Sequence, residues 1–265
     1  MRLATLNLLH GRSPADGTVD ADRLREAVTG LDADVLALQE VDHTQPRSGL
    51  VDQTALVAEA MGARHARFAP AVVGTPGVAW RPATPDDVPG AEPTYGIGLV
   101  SRHPVDHWRV VALGTSPATL PLLIDARRPA LVRDEPRLAL AAVLTPPTPV
   151  GTVVATHLSF APGFNVLQLA RLARAVRDLP EPLVLLGDLN MPGPVPGAVL
   201  RGWHALARLP TFPSAAPRIQ FDHVLARAAT PPPVADARAV ATPVSDHRAL
   251  VVDLDGVSPA PPRDR

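Results

Sequence analysis

Residues 183–190 read LVLLGDLN, an apolar run that ends in Asp188 and, two residues later, in Asn190. The length of this run, its valine and the turn residues around it favour a strand over a helix. The stretch therefore predicts a strand, Leu183–Asp188, that carries a carboxylate at its carboxyl end.

The same arrangement recurs along the chain, because at least five apolar runs have an Asn, Asp, Glu or His at one end. Besides Asp188 and Asn190, these polar residues are Asn7, Glu40, His157, Asp246 and His247. Burying such groups without partners costs roughly 2–7 kcal/mol each, so they should bond to one another or to a divalent ion. Sites of sheet proteins form at strand ends, where loops join residues distant in sequence. The pattern therefore predicts one polar site.

The residue types indicate which ion this site would bind. Three carboxylates (Glu40, Asp188 and Asp246) and two amides (Asn7 and Asn190) offer oxygen ligands. Oxygen ligands suit Mg²⁺ or Mn²⁺, and the chain has no cysteine and no H-x-H pair that would favour Zn²⁺. A hard cation with few protein ligands typically engages phosphate oxygens. Magnesium is the expected cofactor, with manganese as the alternative.

Two histidines, His157 and His247, stand among these carboxylates and amides in the pattern. Beside a cation that engages phosphate, they would hydrogen-bond or protonate the phosphate oxygens in the transition state. The combination therefore predicts phosphoester hydrolysis.

The amino-acid composition and the absence of certain motifs exclude several other classes of protein. The 265 residues are 46% hydrophobic and 19% charged, which is enough apolar surface for a folded core. The absence of cysteine excludes a disulfide framework, a thiolate zinc site and a cysteine nucleophile. A net charge of −1 gives no global basic field for nucleic acid. No G-x-S-x-G serine motif and no phosphate-binding G-x-x-x-x-G-K-[ST] loop occurs.

No stretch reaches the roughly 18 uncharged apolar residues of a membrane span, and the first residues lack an apolar signal region. We expect a cytoplasmic protein without a membrane span, and a monomer. Residues 1–255 are predicted to form one domain, and the Pro-rich residues 256–265 a disordered tail.

Nine runs are predicted as strands: Leu3–Asn7, Val35–Glu40, Ile97–Ser101, Leu138–Leu144, Val153–His157, Leu183–Asp188, Gln220–Leu225, Asp236–Thr242 and Ala249–Leu254. Three runs are predicted as helices: Asp20–Leu31, Gln53–Met61 and Val166–Leu179. Strands alternate with helices only at the start and in residues 153–188, so the pattern indicates two packed mixed sheets with helices outside. Residues 70–93 carry six prolines and three glycines and are predicted as a long surface loop.

Six short blocks carry a family resemblance: residues 5–11 (TLNLLHG), 38–42 (LQEVD), 156–158 (THL), 187–190 (GDLN), 221–224 (FDHV) and 245–247 (SDH). In this order they resemble the endonuclease/exonuclease/phosphatase superfamily, the DNase I-like hydrolases. The resemblance implies an α/β fold, a four-layer α/β/β/α sandwich of two mixed β-sheets.

The resemblance also implies roles for the carboxylates and amides. Glu40 is similar to the principal metal carboxylate of the family, with Asn7 and Asp246 in or next to the same coordination sphere. Asp188 resembles the group that orients or deprotonates the attacking water, and Asn190 a phosphate or metal contact.

For the remaining residues, the resemblance implies that His247 stabilises the phosphorane, while Asp222 bonds its other ring nitrogen. His157 would be a second donor to a phosphate oxygen. The arginine that family members place before the histidine strand matches Arg137 best, with the pair at residues 127–128 as a competitor. Tyr95, the only tyrosine, would contact the substrate.

The sequence thus predicts a divalent-metal-dependent phosphoester hydrolase, more specifically a phosphodiesterase. The alternative is a catalytically silent module that binds a phosphorylated ligand or a protein on the same fold. DNA, RNA, inositol phosphates, lipid head groups and small nucleotides all remain open as substrates, so nucleic acid is one possible partner.

Overall fold

In this computed structural model, the described residues are 1–87, 90–117, 119–124 and 128–255. The predicted tail, residues 256–265, and the competitor Arg127 lie outside them. Within the described ranges, no helix is long and apolar enough to cross a lipid bilayer.

The strands are β1 (Arg2–Asn7), β2 (Val35–His43), β3 (His65–Thr75), β4 (Ala79–Pro82), β5 (Thr94–Ser101), β6 (Val105–Gly114), β7 (Thr119–Ile124), β8 (Arg128–Arg133), β9 (Arg137–Leu144), β10 (Thr152–His157), β11 (Leu183–Asp188), β12 (Trp203–Ala205), β13 (Asp222–Arg227), β14 (Val234–Val240) and β15 (Ala249–Leu254). The helices are α1 (Ala21–Leu31), α2 (Gln53–Met61), α3 (Phe164–Ala175) and α4 (Val195–Val199). Two 3₁₀ turns cover Leu9–Gly11 and Pro46–Ser48.

Two mixed sheets form the centre of the molecule. The first has the strand order β14-β15-β1-β2-β5-β3-β4, and the second has the order β12-β13-β11-β10-β9-β6. Strands β7 and β8 pair separately as a hairpin. The pairs β1–β2 and β10–β11 are parallel, and each is connected through a helix, α1 or α3, as a parallel crossover requires.

Three apolar clusters define four layers. The interior cluster joins the two sheets and includes Leu3, Leu140 and Val184. A second cluster packs α1 and α2 on the outer face of the first sheet, and a third packs α3 and α4 on the outer face of the second. The predicted α/β/β/α sandwich is therefore confirmed.

Local signals account for the helices that the sequence predicted. Helix α2 spans Gln53–Met61 as predicted: the Asp52 side chain accepts from the Ala55 amide at its start, and Gly62 adopts a left-handed conformation at its end. The predicted helix Val166–Leu179 was too long, because α3 ends at Ala175 where the backbone leaves helical geometry.

The predicted loop at residues 70–93 is wrong for its first half. This part completes β3 and forms β4, and Val72 is fully buried. Pro70 lies where the pairing of β3 with β5 shifts register, and Pro82 lies on β4 at the sheet edge. Prolines are tolerated at bulges and edges because no ladder hydrogen bond is lost there, so they did not break these strands.

Candidate active site

Strand register brings three polar side chains of the second sheet together. In the parallel pair β10–β11, His157 lies beside Asp188, and antiparallel β13 places Asp222 opposite Asp188. The residue before Asp188 is Gly187, and a Cβ there would lie 2.0 Å from the carbonyl oxygen of Thr156. Only glycine permits this close approach of the two strands.

Asn7, at the end of β1, joins the two sheets. Its Nδ2 donates to Glu40 Oε1 at 3.0 Å in the first sheet and to Asp188 Oδ2 at 3.1 Å in the second. Its Oδ1 accepts from the amide of Leu9 at 3.0 Å. Asn7 therefore orients two carboxylates here, and its predicted role as a metal ligand stays a prediction.

Glu40 occupies a strained position in β2. Its φ of 54° is left-handed, and the pairing of β2 with β5 shifts register between Leu38 and Val41 around it. A bulge of this kind re-aims a side chain, here toward Asn7. Burial raises the pKa of Glu40, and the neighbouring charges of Asp246 and Asp188 raise it further, against the opposing effects of Asn7 and His247.

His247 is held as a cation by a buried carboxylate. Its Nδ1 lies 2.8 Å from Oδ2 of Asp222, whose side chain is fully buried. Burial alone lowers the pKa of this imidazole, but the charges of Asp222, Asp188 and Asp246 outweigh that effect and raise the pKa to about 10. The opposite nitrogen, Nε2, lies 3.9 Å from Asp188 Oδ2. His247 can therefore donate a hydrogen bond from Nε2.

The backbone at Ser245 fixes the position of His247. Ser245 has a left-handed φ of 76°, and its hydroxyl accepts from the His247 amide at 3.0 Å. The same hydroxyl donates to the carbonyl of Asn7. The loop that carries His247 is thereby tied to the end of β1.

Asp188 is the meeting point of the site. Its Oδ1 accepts from the Asn190 amide at 2.9 Å, and its Oδ2 accepts from Asn7. Burial and the nearby charge of Asp222 raise the pKa of Asp188 to about 6, against the lowering effects of His247 and these hydrogen bonds. Such a carboxylate is mostly ionised at neutral pH and retains appreciable basicity.

Asn190 and His157 complete this group. Asn190 also has a left-handed φ, 50°, and its Nδ2 donates to the carbonyl of Leu158 at 3.0 Å. The same Nδ2 lies 3.3 Å from His157 Nε2, which is itself 3.7 Å from Asp188 Oδ2.

Arg137 fixes the protonation of His157. A terminal nitrogen of Arg137 lies 3.0 Å from His157 Nδ1. A guanidinium only donates, so Nδ1 must accept, and the ring proton of a neutral imidazole is then on Nε2. The longer 3.3 Å approach of Asn190 Nδ2 to Nε2 is therefore a contact between two donors and not a hydrogen bond. Burial lowers the pKa of His157 well below its usual value, and the charge of Arg137 lowers it further. His157 is therefore neutral.

Arg137 and Tyr95, the two residues predicted to contact phosphate or substrate, lie next to His157. The second terminal nitrogen of Arg137 donates to Oδ1 of buried Asp134 at 3.3 Å, while its Nε is buried without a hydrogen-bond partner among the described residues. Tyr95 is buried and lines a small pocket together with Arg137 and His157. Direct contact of either residue with a phosphate stays a prediction.

Sequence reasoning missed two features of this region. Glu135 lines the pocket beside Arg137, and nothing in its loop sequence marks it. Arg47 donates to both oxygens of fully buried Asp42, at 2.9 and 2.7 Å, and lies over the ring of Tyr95 at 5.6 Å. The signal for Arg47 was Asp42 itself, an acid at the end of a buried strand.

The site fits a hard divalent cation. Burial raises the pKa of Glu40, and repulsion from Asp246 and Asp188 raises it further. An oxygen-binding cation would relieve the repulsion between these carboxylates. Oxygen or nitrogen atoms of Asp188, Asp222 and His247 also lie within 4.8 Å of one another. That second group suits a metal less well, because a protonated imidazole bonded to Asp222 has no free lone pair. Glu40 and Asp246 are the better candidates.

Comparisons with known proteins identify a family and several solved structures that this chain resembles. Residues 4–247 match the model of the Endonuclease/Exonuclease/phosphatase family. The crystal structure of an endonuclease/exonuclease/phosphatase from Beutenbergia cavernae DSM 12333 is 26% identical, with a TM-score of 0.66 over 96% of this chain and 71% of that chain. Among curated proteins, none matches the sequence significantly.

Two further solved structures share the fold at lower identity. A mannosyl-6-phosphatase from Bacteroides thetaiotaomicron VPI-5482 is 15% identical, with a TM-score of 0.61 over 97% of this chain and 100% of that chain. D. rerio TDP2, complexed with a single strand DNA product, is also 15% identical, with a TM-score of 0.60 over 95% of this chain and 97% of that chain.

Proposed function

The chain belongs to the endonuclease/exonuclease/phosphatase family, and from that premise we propose that it is a divalent-metal-dependent phosphodiesterase. The activities in the family's description all break phosphoester bonds. The observation that carries the proposal is the convergence on Asp188, whose Oδ2 lies 3.1 Å from Asn7 Nδ2, 3.7 Å from His157 Nε2 and 3.9 Å from His247 Nε2.

In this proposal Asp188 orients and deprotonates the attacking water. The pKa of about 6 keeps Asp188 ionised at neutral pH and leaves it basic enough to accept a proton as the oxygen–phosphorus bond forms. The hydrogen bonds from Asn7 and from the Asn190 amide hold its two oxygens in fixed directions. Asn190 would additionally contact the phosphate.

The two histidines donate to the phosphoryl oxygens. His247 carries a full positive charge and an Nε2–H, so it stabilises the charge that develops on the phosphorane. Asp222 does not touch the substrate in this scheme; it is a positioning residue that fixes the tautomer and charge of His247. His157 supplies a second, neutral Nε2–H, because Arg137 occupies its Nδ1.

Glu40 and Asp246 would hold the cation, and Asn7 would orient Glu40 toward it. Mg²⁺, or Mn²⁺ in its place, supplies positive charge next to the phosphate oxygens.

The preference for a diester over a monoester stays a prediction, because the six sequence blocks resemble the superfamily as a whole. The fold alone does not choose, because its neighbours include both a mannosyl-6-phosphatase and a protein complexed with a DNA product. Nucleic acid is therefore retained among the candidate substrates. The cytoplasmic location and the monomeric state also stay predictions.

The test is a substrate panel on the purified chain with Mg²⁺, with Mn²⁺ and with excess chelator. Bis(p-nitrophenyl) phosphate should be hydrolysed with metal, faster than p-nitrophenyl phosphate, and the rate should fall to background with chelator. Plasmid DNA, single-stranded DNA, RNA, inositol polyphosphates and sphingomyelin extend the panel. Absence of metal-dependent turnover on every member would contradict the proposal, and ligand binding without turnover would favour a silent binding module.

A further inference from the structure

The small pocket beside His157 is lined by residues of both sheets. Tyr95 and Ile97 of β5 line it from the first sheet, and Glu135 and Arg137 line it from the segment that enters β9 in the second. The space it encloses accommodates about one water molecule, which is too little for any part of a substrate. The pocket therefore acts on the residues that line it.

The guanidinium of Arg137 has hydrogen-bond partners on two of its three nitrogens. One terminal nitrogen lies 3.0 Å from His157 Nδ1, and the other donates to Asp134 Oδ1 at 3.3 Å. The third nitrogen, Nε, is buried and has no partner among the described residues. Burying the N–H of a cation without an acceptor is costly, so such groups in folded proteins bond to another residue or to ordered water.

Glu135 offers the complementary acceptor. Its side chain is only 16% exposed, and within the described part of the chain no group donates a hydrogen bond to its carboxylate. Its Oε2 lies 3.9 Å from a terminal nitrogen of Arg137, which is too long for a direct hydrogen bond. The phenol of Tyr95, which can both donate and accept, lines the same pocket. These groups meet the two to four polar partners that a buried water requires.

The charges around the pocket favour a water over an ion. Two carboxylates, Asp134 and Glu135, accompany the one guanidinium of Arg137, so no uncompensated positive charge is left for an anion such as chloride. A cation would face the unpaired N–H of Arg137, which cannot be a ligand because a guanidinium only donates. A water molecule suits both groups, since it accepts from Nε and donates to the carboxylate.

We propose that one ordered water molecule in this pocket bridges Arg137 Nε to the carboxylate of Glu135. Glu135 is then a positioning residue. Through the water it fixes the plane of the guanidinium whose terminal nitrogen bonds His157 Nδ1, and it thereby keeps the ring proton of His157 on Nε2. The effect of Glu135 on turnover rests on the proposed phosphodiesterase function, whereas the water site and the tautomer of His157 do not.

Substitutions of Glu135 test whether its hydrogen bond or its charge is what matters. Glu135→Leu should lower kcat on bis(p-nitrophenyl) phosphate by about 3- to 10-fold, the effect of losing one hydrogen bond, with little change in KM. Long-range ¹⁵N NMR should show that His157 in this variant no longer has a single tautomer. Glu135→Gln should keep most of the rate and the native tautomer, because its amide oxygen still accepts from the water. Glu181→Leu, which removes an exposed acid paired with Arg227, is the matched control.

A substitution that fills the pocket tests the water itself. Ala71 lines the pocket, and the larger side chain of Ala71→Val should occupy the volume of the water. This variant should reproduce the effects of Glu135→Leu on kcat and on the His157 tautomer. The double variant should lose no more activity than either single variant, because both changes break the same bridge.

A high-resolution crystal structure of the metal-loaded enzyme should show a water within hydrogen-bonding distance of both Arg137 Nε and Glu135. An ion or no ordered molecule at this position, equal losses in Glu135→Gln and Glu135→Leu, or additive losses in the double variant would overturn the inference while the phosphodiesterase proposal stands. Absence of turnover by the native chain with Mg²⁺ and with Mn²⁺ would instead overturn the proposed function, and the crystal structure and the NMR spectra would still test the water bridge.

Discussion

Nδ1 of His157 accepts a hydrogen bond of 3.0 Å from Arg137, so a guanidinium, and not a carboxylate, holds this imidazole. His247 has the opposite arrangement, because its Nδ1 lies 2.8 Å from the carboxylate of Asp222. The pKa of His157 is lowered and that of His247 is raised. Two imidazoles in one site are thus prepared in different charge states, one as a neutral donor and one as a cation.

Replacing Arg137 with Gln should lower kcat by about 10- to 100-fold, the usual effect of losing a partner that orients a functional imidazole. Long-range ¹⁵N NMR of the native chain should show His157 protonated at Nε2 alone, and the variant should lose this fixed tautomer. Arg133→Gln, whose guanidinium lies over Trp80, is the matched control. A native His157 that carries its proton on Nδ1 would refute the arrangement.

Asp222→Asn should lower kcat by about 10²–10⁴-fold and change its pH dependence. The native imidazolium of His247 persists until the pH approaches about 10, because Asp222 raises its pKa. Without that charge the pKa falls, so activity should decline at a much lower pH as the pH increases. Profiles of kcat against pH test this, with the exposed Asp236→Asn as control. An unchanged alkaline limb would count against Asp222 as the source of the shift.

The same pKa predicts how stability depends on pH in the metal-free protein. The pKa of His247 is raised from 6.5 to about 10, so the folded state binds this proton more tightly than the unfolded chain. The stabilisation is complete below pH 6.5 and is lost as the pH rises toward 10, by an amount on the order of a few kcal/mol. Urea unfolding in chelator at pH 6.5, 8 and 9.5 should show this decline, and His247→Gln should give a flatter curve.

Asp188→Asn should lower kcat by about 10²–10⁴-fold, because the amide cannot accept the proton of the attacking water. The native rate should also fall with decreasing pH near 6, where Asp188 gains a proton, and this acid limb should be absent from the residual activity of the variant. Steady-state kinetics from pH 4.5 to 8 measure both effects. Asp178→Asn, at an exposed ion pair with Arg109, should behave as the native protein.

Glu40→Gln should stabilise the metal-free protein and at the same time weaken its binding of Mg²⁺. Repulsion from Asp246 and Asp188 contributes to the raised pKa of Glu40, so neutralising this residue should raise the Tm of the protein in chelator. The increase in Tm that Mg²⁺ gives the native chain should shrink or vanish in the variant, because a ligand that binds only the folded state stabilises it by mass action. Glu59→Gln serves as control. An undiminished Mg²⁺ effect would show that Glu40 is not a ligand.

Local sequence signals were sufficient for α2, since Asp52 and Gly62 mark its two ends within the chain itself. They were insufficient for β3 and β4. Whether Pro70 and Pro82 break a strand depends on the partner strand, and the register shift opposite β5 and the edge position of β4 are properties of the assembled sheet. Helix α3 ends at Ala175, before the predicted end at Leu179. No residue before Pro180 gives a local signal for this earlier end.

For the candidate site, the recurrence of polar residues at run ends predicted that distant side chains would meet, and Asn7 does contact both Glu40 and Asp188. The roles assigned to them stay predictions. The direction in which each side chain points could not be predicted from the sequence. The positions of His157 and Arg137 in the chain do not reveal that one faces the other, nor that Glu135 points into the pocket, because these depend on how the sheets stack.

Asn7 belongs to the first sheet and Asp188 to the second, so the 3.1 Å hydrogen bond between their side chains depends on how the two sheets are spaced. The side chains packed between the sheets, such as Leu140 and Val184, set this spacing. A substitution deep in the sandwich that changes this packing should therefore alter turnover as well as stability, although it lies far from any reacting atom. The catalytic rate would then report on how well the interior between the two sheets is packed.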